Sequence, residues 1–289
     1  MFRRASAVVL AVGLPMLAGC RAKPLADDQL SVDEEEWVLE VDAKFQRYDK
    51  ARRGGLVDDQ NTAKHELMRV AEEQRDLLVK ALRCNDWRGR MVAAATLGFG
   101  LKDDVIGLMV EALQDPDTLV RMHALYGIAV KASDQTPMPP LIAQLGDPDA
   151  EIRVVALGAI SKVVRRNTDK GAMPRVVELL SDPDWRVRCQ ALTVIGAVAR
   201  KDTITAVVEK GIRDENSEVR MYAVGALFNI HIDDVVNPLI GAMTDPDQRV
   251  ADTAQRALET LSGQKFGSDP EKWQGWWTHR QDLGLGLEH

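Results

Sequence analysis

Few residues in this sequence are of the types that build metal sites, disulfide frameworks or nucleic-acid surfaces. Three cysteines occur among 289 residues, and a formal net charge of −7 disfavours binding to the phosphates of nucleic acids. The histidines show no metal-ligand spacing with one another or with cysteine. We therefore expect no metal and no nucleic-acid partner. The five histidines are His65, His123, His231, His279 and His289.

Catalytic motifs are also missing from the sequence. There is no glycine-rich phosphate loop, no nucleophile elbow and no redox pair of cysteines. Closely spaced acids such as Asp115 and Asp117 lack the alternating ligands and the distal glutamate of a calcium loop. Aromatic residues make up only 5% of the chain, as expected where Ala, Leu and Val fill the seams between helices. We predict that the protein is not an enzyme and needs no cofactor.

The sequence does contain one pattern that returns along most of its length. Residues 182–197 read DPDWRVRCQALTVIGA, and similar stretches recur 31 to 35 residues apart. A repeat of this period indicates a solenoid of stacked units. The units start at Cys84, Asp115, Asp147, Asp182, Asp214 and Asp245.

An arginine and an alanine keep fixed places in these units. The arginine comes six residues after the start and the alanine three residues later, and only the last unit replaces the arginine, with Ala251. An active site needs one unique set of residues, so recurrence in consecutive units suits a structural ladder that joins neighbouring turns. The predicted ladder consists of Asp115, Arg121, Asp147, Arg153, Asp182, Arg188, Asp214 and Arg220.

Each unit reads as a pair of helices. Around the arginine, apolar residues follow the 3.6-residue spacing of one helical face, as Val187, Leu192 and Ile195 do. A shorter apolar segment precedes each unit start, for example residues 176–180. We expect the aspartate at the start to cap the second helix, with the following proline at a position where a missing N–H is harmless.

These features resemble HEAT repeats, particularly the short HEAT-like kind first associated with phycobilisome lyases. Pro139 and Pro174 lie eight residues before the aspartate, as in that family, and the Val-Arg pair and the alanine also match. The resemblance implies an all-α fold, a right-handed α-solenoid of about six short HEAT-like repeats over residues 62–262 with N- and C-terminal capping helices. It also implies that the repeated Asp and Arg are structural. Cys84 and Cys189 would lie roughly 30 Å apart, beyond disulfide reach.

Residues 1–19 read as an export signal and not as part of the fold. Arg3 and Arg4 give the segment a positive start, and the apolar run over residues 5–17 is too short to span a bilayer as a permanent helix. Removal of the signal would take away both arginines and leave a net charge near −9. The mature protein is therefore expected to be acidic and exported.

The signal ends in a motif for lipid attachment. Leu-Ala-Gly-Cys at residues 17–20 resembles the lipobox of bacterial lipoproteins, in which the cysteine is lipidated and becomes the first residue of the mature chain. Cys20 is thus the predicted lipidation site, and residues 20–32 are a tether. Arg21 is not the aspartate associated with inner-membrane retention, so the resemblance favours the periplasmic side of the outer membrane. The alternative is an ordinary signal peptide that leaves Cys20 as a spare thiol.

Residues 33–61 are predicted to hold an amphipathic helix that leads into the repeats. The helix either covers the end of the first repeat or presents a stripe to a partner, and covering is favoured because a solenoid exposes an apolar terminal face. A long first helix of the first repeat is expected to follow from Thr62 to Arg83. The apolar stripe consists of Trp37, Val41, Phe45 and Tyr48.

Residues 263–289 form a tryptophan-rich end. Ser268 in a capping box, or Asp269 before a proline, would start a helix with three tryptophans on one face. This helix would either close the end of the solenoid or bind a glycan or a proline-rich peptide, and closure is favoured. The tryptophans are Trp273, Trp276 and Trp277.

The second helices leave a surface that carries few charges. Positions one, two and five residues after the arginine escape the buried stripe and are expected to line the inner side of the solenoid. Uncharged surfaces that carry Met and Tyr suit protein recognition. The predicted partner-binding residues are Met122, His123, Tyr126, Val155, Gln190, Met221 and Tyr222.

Together these features predict a non-catalytic scaffold, anchored to the bacterial cell envelope by lipid, that binds a protein partner through the concave face of a HEAT-repeat solenoid. Two alternatives are kept. One is a lyase-like or other enzymatic accessory protein, which follows only from the repeat family. The other is a cell-wall or glycan-binding protein that uses the C-terminal tryptophans.

Overall fold

The computed structural model describes residues 29–164 and 171–287, and these residues form helices and loops without a strand. The predicted signal peptide and Cys20 lie outside the described residues. Among the described helices, none is both long enough and apolar enough to cross a membrane. The helices are α1 (Val32–Arg53), α2 (Val57–Glu73), α3 (Arg75–Leu82), α4 (Trp87–Leu97), α5 (Ile106–Ala112), α6 (Thr118–Lys131), α7 (Met138–Gln144), α8 (Ala150–Val163), α9 (Met173–Glu178), α10 (Trp185–Val198), α11 (Ile204–Ala206, continued by a π-helix, Val207–Ile212), α12 (Ser217–Ile230), α13 (Val236–Ala242), α14 (Gln248–Ser262) and α15 (Pro270–Asp282).

Helices α3 to α14 form six pairs, each with a short first helix and a longer second helix. Every second helix contacts its own first helix and the second helices of the neighbouring pairs. The six second helices, α4, α6, α8, α10, α12 and α14, therefore form one continuous layer. This arrangement confirms the predicted all-α solenoid of about six repeats.

In every unit, the alanine nine residues after the unit start lies at the centre of the packed layer. The spacing between helix axes depends on the side chains at their contact, so a recurring methyl group keeps that spacing short and uniform. All six alanines have 0% of their surface exposed. They are Ala93, Ala124, Ala156, Ala191, Ala223 and Ala254.

The aspartate that starts each unit does not cap the second helix, so that prediction is wrong. The cap lies two residues later, where the side chain of Asp184 accepts a hydrogen bond from the N–H of Arg186 at 2.8 Å. The first aspartate instead accepts the N–H of the cap residue, as Asp182 does from Asp184 at 2.9 Å. The proline between them precedes the cap and lies outside the helix. The capping residues are Asp117, Asp149, Asp184, Asn216 and Asp247.

Three second helices end in a left-handed residue that is not glycine. Ala132, Ala199 and His231 have φ angles of 46°, 53° and 51°. This conformation costs an L-residue roughly 1–2 kcal/mol, because its Cβ approaches the following carbonyl oxygen. Helix α14 ends instead in Gly263, with a φ of 69°, which avoids that cost.

We expect Ala199→Gly to raise the free energy of unfolding by about 0.5–1 kcal/mol, since relief of the left-handed strain exceeds the extra chain entropy of glycine. Ala199 is exposed, so the change removes no core contact. The matched control is Ala197→Gly, two residues earlier inside α10, which should lose about 0.5–1 kcal/mol. Urea denaturation measures both, and a loss of stability in the two variants alike would contradict the expectation.

Helix α1 is amphipathic as predicted, and its apolar stripe is turned toward the repeats. Val38, Val41, Phe45 and Tyr48 are buried, while Trp37 is half-buried. The helix packs on α2 and α4. It therefore covers the beginning of the solenoid, as the favoured prediction had it.

The long first helix predicted over residues 62–83 is wrong. The chain forms α2 and α3 instead, which meet at Gln74 with a φ of −115° and a ψ of 25°. Helix α2 packs mainly on α1, whereas α3 packs on α4. One straight helix could not serve both neighbours, so tertiary packing overrides a local sequence of good helix formers.

Helix α15 starts at Asp269, whose side chain accepts the N–H groups of Glu271 and Lys272 at 3.1 and 3.4 Å. The Asp-Pro start therefore applies and the capping box at Ser268 does not. The helix packs on α13, the first helix of the last pair. The predicted C-terminal closure of the solenoid is present.

Candidate functional site

A row of ion pairs joins each repeat to the next at the start of the second helices. The guanidinium of Arg188 donates hydrogen bonds of 2.7 and 2.8 Å to the carboxylate of Asp214, one unit further along the chain. The two side chains are only 9% and 6% exposed. The same arrangement recurs in the pairs Arg90–Asp115, Arg153–Asp182 and Arg220–Asp245, and Arg121 donates a single hydrogen bond of 3.2 Å to Asp147.

Each ladder arginine also holds the turn of its own unit. Nη1 of Arg188 donates to the carbonyl oxygen of Asp182 at 2.9 Å. On the partner side, Asp214 accepts the N–H of the cap residue Asn216 at 2.9 Å. Both charged groups are thus fixed by several hydrogen bonds within the protein, which is the geometry of a structural element.

The ladder contains all the predicted residues and extends one residue beyond them at each end. It begins at Arg90 and ends at Asp245, and both residues already occupy ladder positions in the repeat pattern. Hydrogen bonds from Arg220 hold the pKa of Asp245 below its ordinary value. Ala251 provides no guanidinium, so the ladder stops where the stack of repeats stops.

The second helices also have a face that the ladder does not use and that is partly exposed in α8, α10 and α12. Because an α-helix has 3.6 residues per turn, positions two before and two, five and nine after the ladder arginine point in nearly the same direction. We call this the inner face. In α8, α10 and α12 its two middle rows hold Val155, Gly158, Gln190, Thr193, Tyr222 and Gly225, which we call the open inner face.

Helix α1 covers the inner face of the second repeat. The ring centroid of Phe45 lies 5.5 Å from that of His123 and 5.3 Å from that of Tyr126. The guanidinium of Arg52 lies over the Tyr126 ring, 5.6 Å from its centroid. His123 and Tyr126 therefore do not line a free surface, contrary to the prediction, because the aromatic stripe of α1 packs onto them.

Burial beneath α1 keeps both of these residues uncharged. Desolvation lowers the pKa of His123 and raises the pKa of Tyr126. Nδ1 of His123 lies 2.8 Å from the carbonyl oxygen of Leu119 and donates to it. Met122, beside them, is half-buried and packs against the core. These three residues have packing roles in this arrangement.

The open inner face keeps its side chains accessible. Tyr222 is 44% exposed, and Val155 and Gln190 are half-buried. Val155 and Met221 both pack partly against the core. A Cβ added at Gly225 would meet no heavy atom within 4 Å, and one added at Gly158 would meet only the amide of Gln190, at 3.9 Å. The two middle rows of the face are therefore uncharged, and space is open above both glycines.

The charges two positions before the ladder position, at one edge of this face, pair with one another, while the opposite edge carries the exposed Lys162 in α8. Arg186 binds Glu151 of the preceding second helix at 2.9 Å, and Arg249 binds Glu218 at 2.7 Å. All four residues lie two positions before the ladder position. The edge consequently presents alternating and mutually neutralised charges, with no patch of one sign.

The two cysteines that the structure describes are poorly reactive. Cys84 and Cys189 are free and buried, and burial raises the pKa of the Cys189 thiol to about 12. Such a thiol carries almost no reactive thiolate at neutral pH. Within residues 29–164 and 171–287, no group of three or more His, Cys, Asp or Glu side chains is placed to hold a metal ion.

Two of the three C-terminal tryptophans are core residues. Trp273 and Trp277 are 0% and 1% exposed, and Nε1 of Trp273 donates to the carbonyl oxygen of Gly267 at 2.9 Å. Trp276 is half-buried, with the ring of Phe266 6.1 Å away. The three tryptophans therefore do not form a platform for a glycan, because two of them are used to close the solenoid.

A repeat-family model and one solved structure agree with the helical repeat fold. The family described as HEAT repeats matches residues 138–210, from α7 to α11. The crystal structure of an engineered protein aligns with a TM-score of 0.50 and 22% identity, covering 63% of this chain and 94% of that one. A designed armadillo repeat protein aligns with a TM-score of 0.48 and 22% identity over 64% and 98% of the two chains, and importin beta with 0.47 and 16% over 69% and 31%. No curated protein sequence matches this chain.

Proposed function

We propose that this HEAT-repeat solenoid is a non-catalytic scaffold that binds a protein partner on its inner face. The open inner face carries the proposal, because three successive second helices present uncharged side chains there and Tyr222 is 44% exposed. Tyrosine is enriched among the residues that dominate protein interfaces, and the centres of interfaces are poor in charge. Stacked repeats offer extended surfaces that commonly serve as binding sites.

Neither alternative gains support from a particular observation. A lyase-like or other enzymatic accessory role follows only from the resemblance of the repeats, and the repeated Asp and Arg pair with one another across the repeats. A glycan-binding role would use the C-terminal tryptophans, of which Trp273 and Trp277 are buried. Protein binding is therefore the function that the geometry favours.

A pull-down from detergent-solubilised envelopes with the lipidated full chain tests the proposal. We expect one stoichiometric protein partner, captured by the wild type and by Leu101→Ala, an exposed control outside the open inner face. Tyr222→Ala should capture it poorly. Retention on purified cell wall without any protein partner would contradict the proposal.

We further propose that lipid on Cys20 anchors the protein to the bacterial envelope, on the periplasmic side of the outer membrane. Stable anchoring takes two or more acyl chains, as a lipidated N-terminal cysteine provides. The segment between Cys20 and α1 is polar and would act as a tether.

Cys20→Ser is expected to abolish lipid labelling and to leave the chain unprocessed or unanchored, because the variant lacks the thiol that receives the lipid. Labelled fatty acid and membrane fractionation provide the measurement. The control Cys84→Ser changes a buried thiol and should stay labelled. A Cys20→Ser protein that is still labelled and membrane-bound would refute the anchor.

A further inference from the structure

We infer that the contact between α1 and α6 is sensitive to acid, and that protonation of His123 lifts the C-terminal half of α1 from the second repeat. We call this half of α1, residues 43–53, the cover. When the cover lifts, the inner face of α6 becomes accessible beside that of α8. The inference goes beyond the proposed function, because it concerns a contact within the chain and needs no partner.

The two halves of α1 are held in different ways. The helix packs along α2 and α4, and near its start Glu34 accepts hydrogen bonds of 2.8 Å from Nζ of Lys80. The cover reaches α6 through long side chains, and the ring of Phe45 lies against those of His123 and Tyr126. The contact with α6 can therefore loosen while α1 keeps its place on α2 and α4.

The contact between the cover and α6 buries polar groups that gain little from it. The hydroxyl of Tyr126 is buried and has no hydrogen-bond partner among residues 29–164 and 171–287. The carboxylate of Asp49 belongs to a residue that is only 8% exposed, and it pairs with Arg52 and Arg53 of its own helix. A buried polar group without a partner costs free energy, and pairs within α1 do not tie it to α6. The cover is therefore held weakly.

His123 couples this contact to pH. Burial beneath the cover lowers the pKa of His123, and this effect outweighs the hydrogen bond to Leu119 and the charges of Asp42 and Asp49, which act in the opposite direction. The hydrogen bond to the carbonyl oxygen of Leu119 lies within α6, so it remains when the cover lifts. The neutral ring is the form that fits beneath Phe45.

The second helices on either side of α6 add no charge at the row of His123. Apart from the ladder, their charged residues are Arg88 in α4 and Glu151 and Lys162 in α8. Arg88 and Glu151 precede this row by one helical turn, and Glu151 is bound to Arg186 at 2.9 Å. The row itself has valine in both α4 and α8. Asp42 and Asp49 of α1 are thus the charges that act on the ring.

The direction of the pH dependence follows from these contacts. When the cover lifts, the pKa of His123 returns toward the ordinary histidine value of about 6.5, so the lifted form takes up a proton more readily. The contact therefore keeps its full strength above about pH 6.5 and weakens as the pH falls below that value. Each pH unit weakens it by up to about tenfold, or up to about 30-fold at about pH 5.

Fluorine NMR of the lipidated full chain in detergent, labelled with fluorotyrosine, tests the inference. The chain has three tyrosines, and Tyr222, at 44% exposure, marks the position of an accessible ring. Between about pH 7.5 and about pH 5 we expect the Tyr126 signal to move toward that of Tyr222, which stays in place. Tyr48 packs on the Phe99 ring of the first repeat, with centroids 5.0 Å apart, and should change little.

Variants at two histidines provide the controls. His123→Phe keeps an aromatic ring beneath Phe45 but cannot take up a proton, so its Tyr126 signal should stay in place at both pH values. His123→Gln replaces it if the larger ring disturbs the contact at about pH 7.5. His65→Gln changes an exposed histidine on α2 and should respond as the wild type does.

Three results would overturn the inference. The first is a wild-type Tyr126 signal that does not move, and the second is a signal that moves equally in His123→Phe. The third is movement of all three signals with loss of helix by circular dichroism, because that marks acid unfolding of the whole fold. The proposed function has its own readout, since the pull-down depends on Tyr222 and not on the cover.

Discussion

Arg188→Ala is expected to lower the free energy of unfolding by about 3–5 kcal/mol, the cost of removing one partner of a buried ion pair. The change leaves the carboxylate of Asp214, only 6% exposed, without its counter-charge. It also frees the carbonyl oxygen of Asp182 that Arg188 holds at 2.9 Å. The large cost arises because the remaining charge stays buried and unpaired. Urea denaturation gives the free energy.

The matched control is Arg186→Ala, two residues earlier on the same helix. Arg186 is 48% exposed and its partner Glu151 is 49% exposed, so the change should cost about 1 kcal/mol or less. Arg188→Ala should leave partner affinity unchanged in the fraction of the protein that remains folded. If Arg188→Ala were as stable as the control but had lost partner binding, the ladder would serve binding and not stability.

Gly127→Ala is expected to cost about 3 kcal/mol, the upper part of the usual range for overpacking. The new Cβ would lie 2.3 Å from the carbonyl oxygen of Ala94 and 3.1 Å from Sδ of Met109. The oxygen belongs to the backbone of α4 and cannot rotate away, so α4 and α6 would have to separate. Thermal and urea unfolding measure the loss.

Gly225→Ala is the control for this substitution. Gly225 lies inside α12, and a methyl group there would meet no heavy atom within 4 Å. Alanine also restricts the unfolded chain, so the variant should gain about 0.5–1 kcal/mol. If Gly127→Ala proved as stable as this control, the close backbone contact of α4 and α6 would be refuted.

The solenoid and its ladder could be predicted because both depend on a local pattern that repeats. Arg188 stands at the arginine position of one unit and Asp214 at the start of the next, so stacking of the units brings the two side chains together. Even here the role of the first aspartate was misjudged. Asp182 and Asp184 are the same residue type two positions apart, and only the geometry of the turn decides which one caps the helix.

The contact of α1 with the second repeat could not be predicted, because it depends on distant parts of the chain. The stripe that contains Phe45 indicated an amphipathic helix at the first repeat, but it did not indicate that the helix would also lie on α6. His123 and Tyr126 were therefore expected on a free surface, and they lie under Phe45. The break at Gln74 has the same origin, since neighbouring helices impose it.

The most direct test of the proposed function compares Tyr222→Ala with Ala223→Asp, a core-breaking control at a residue with 0% exposure. Partner titration and thermal melts are recorded for both variants. If the open inner face binds the partner, Tyr222→Ala loses about 2 kcal/mol of binding free energy. Its stability should change by about 0.5 kcal/mol or less. A melt as damaged as that of Ala223→Asp, or an unchanged affinity, would contradict the account.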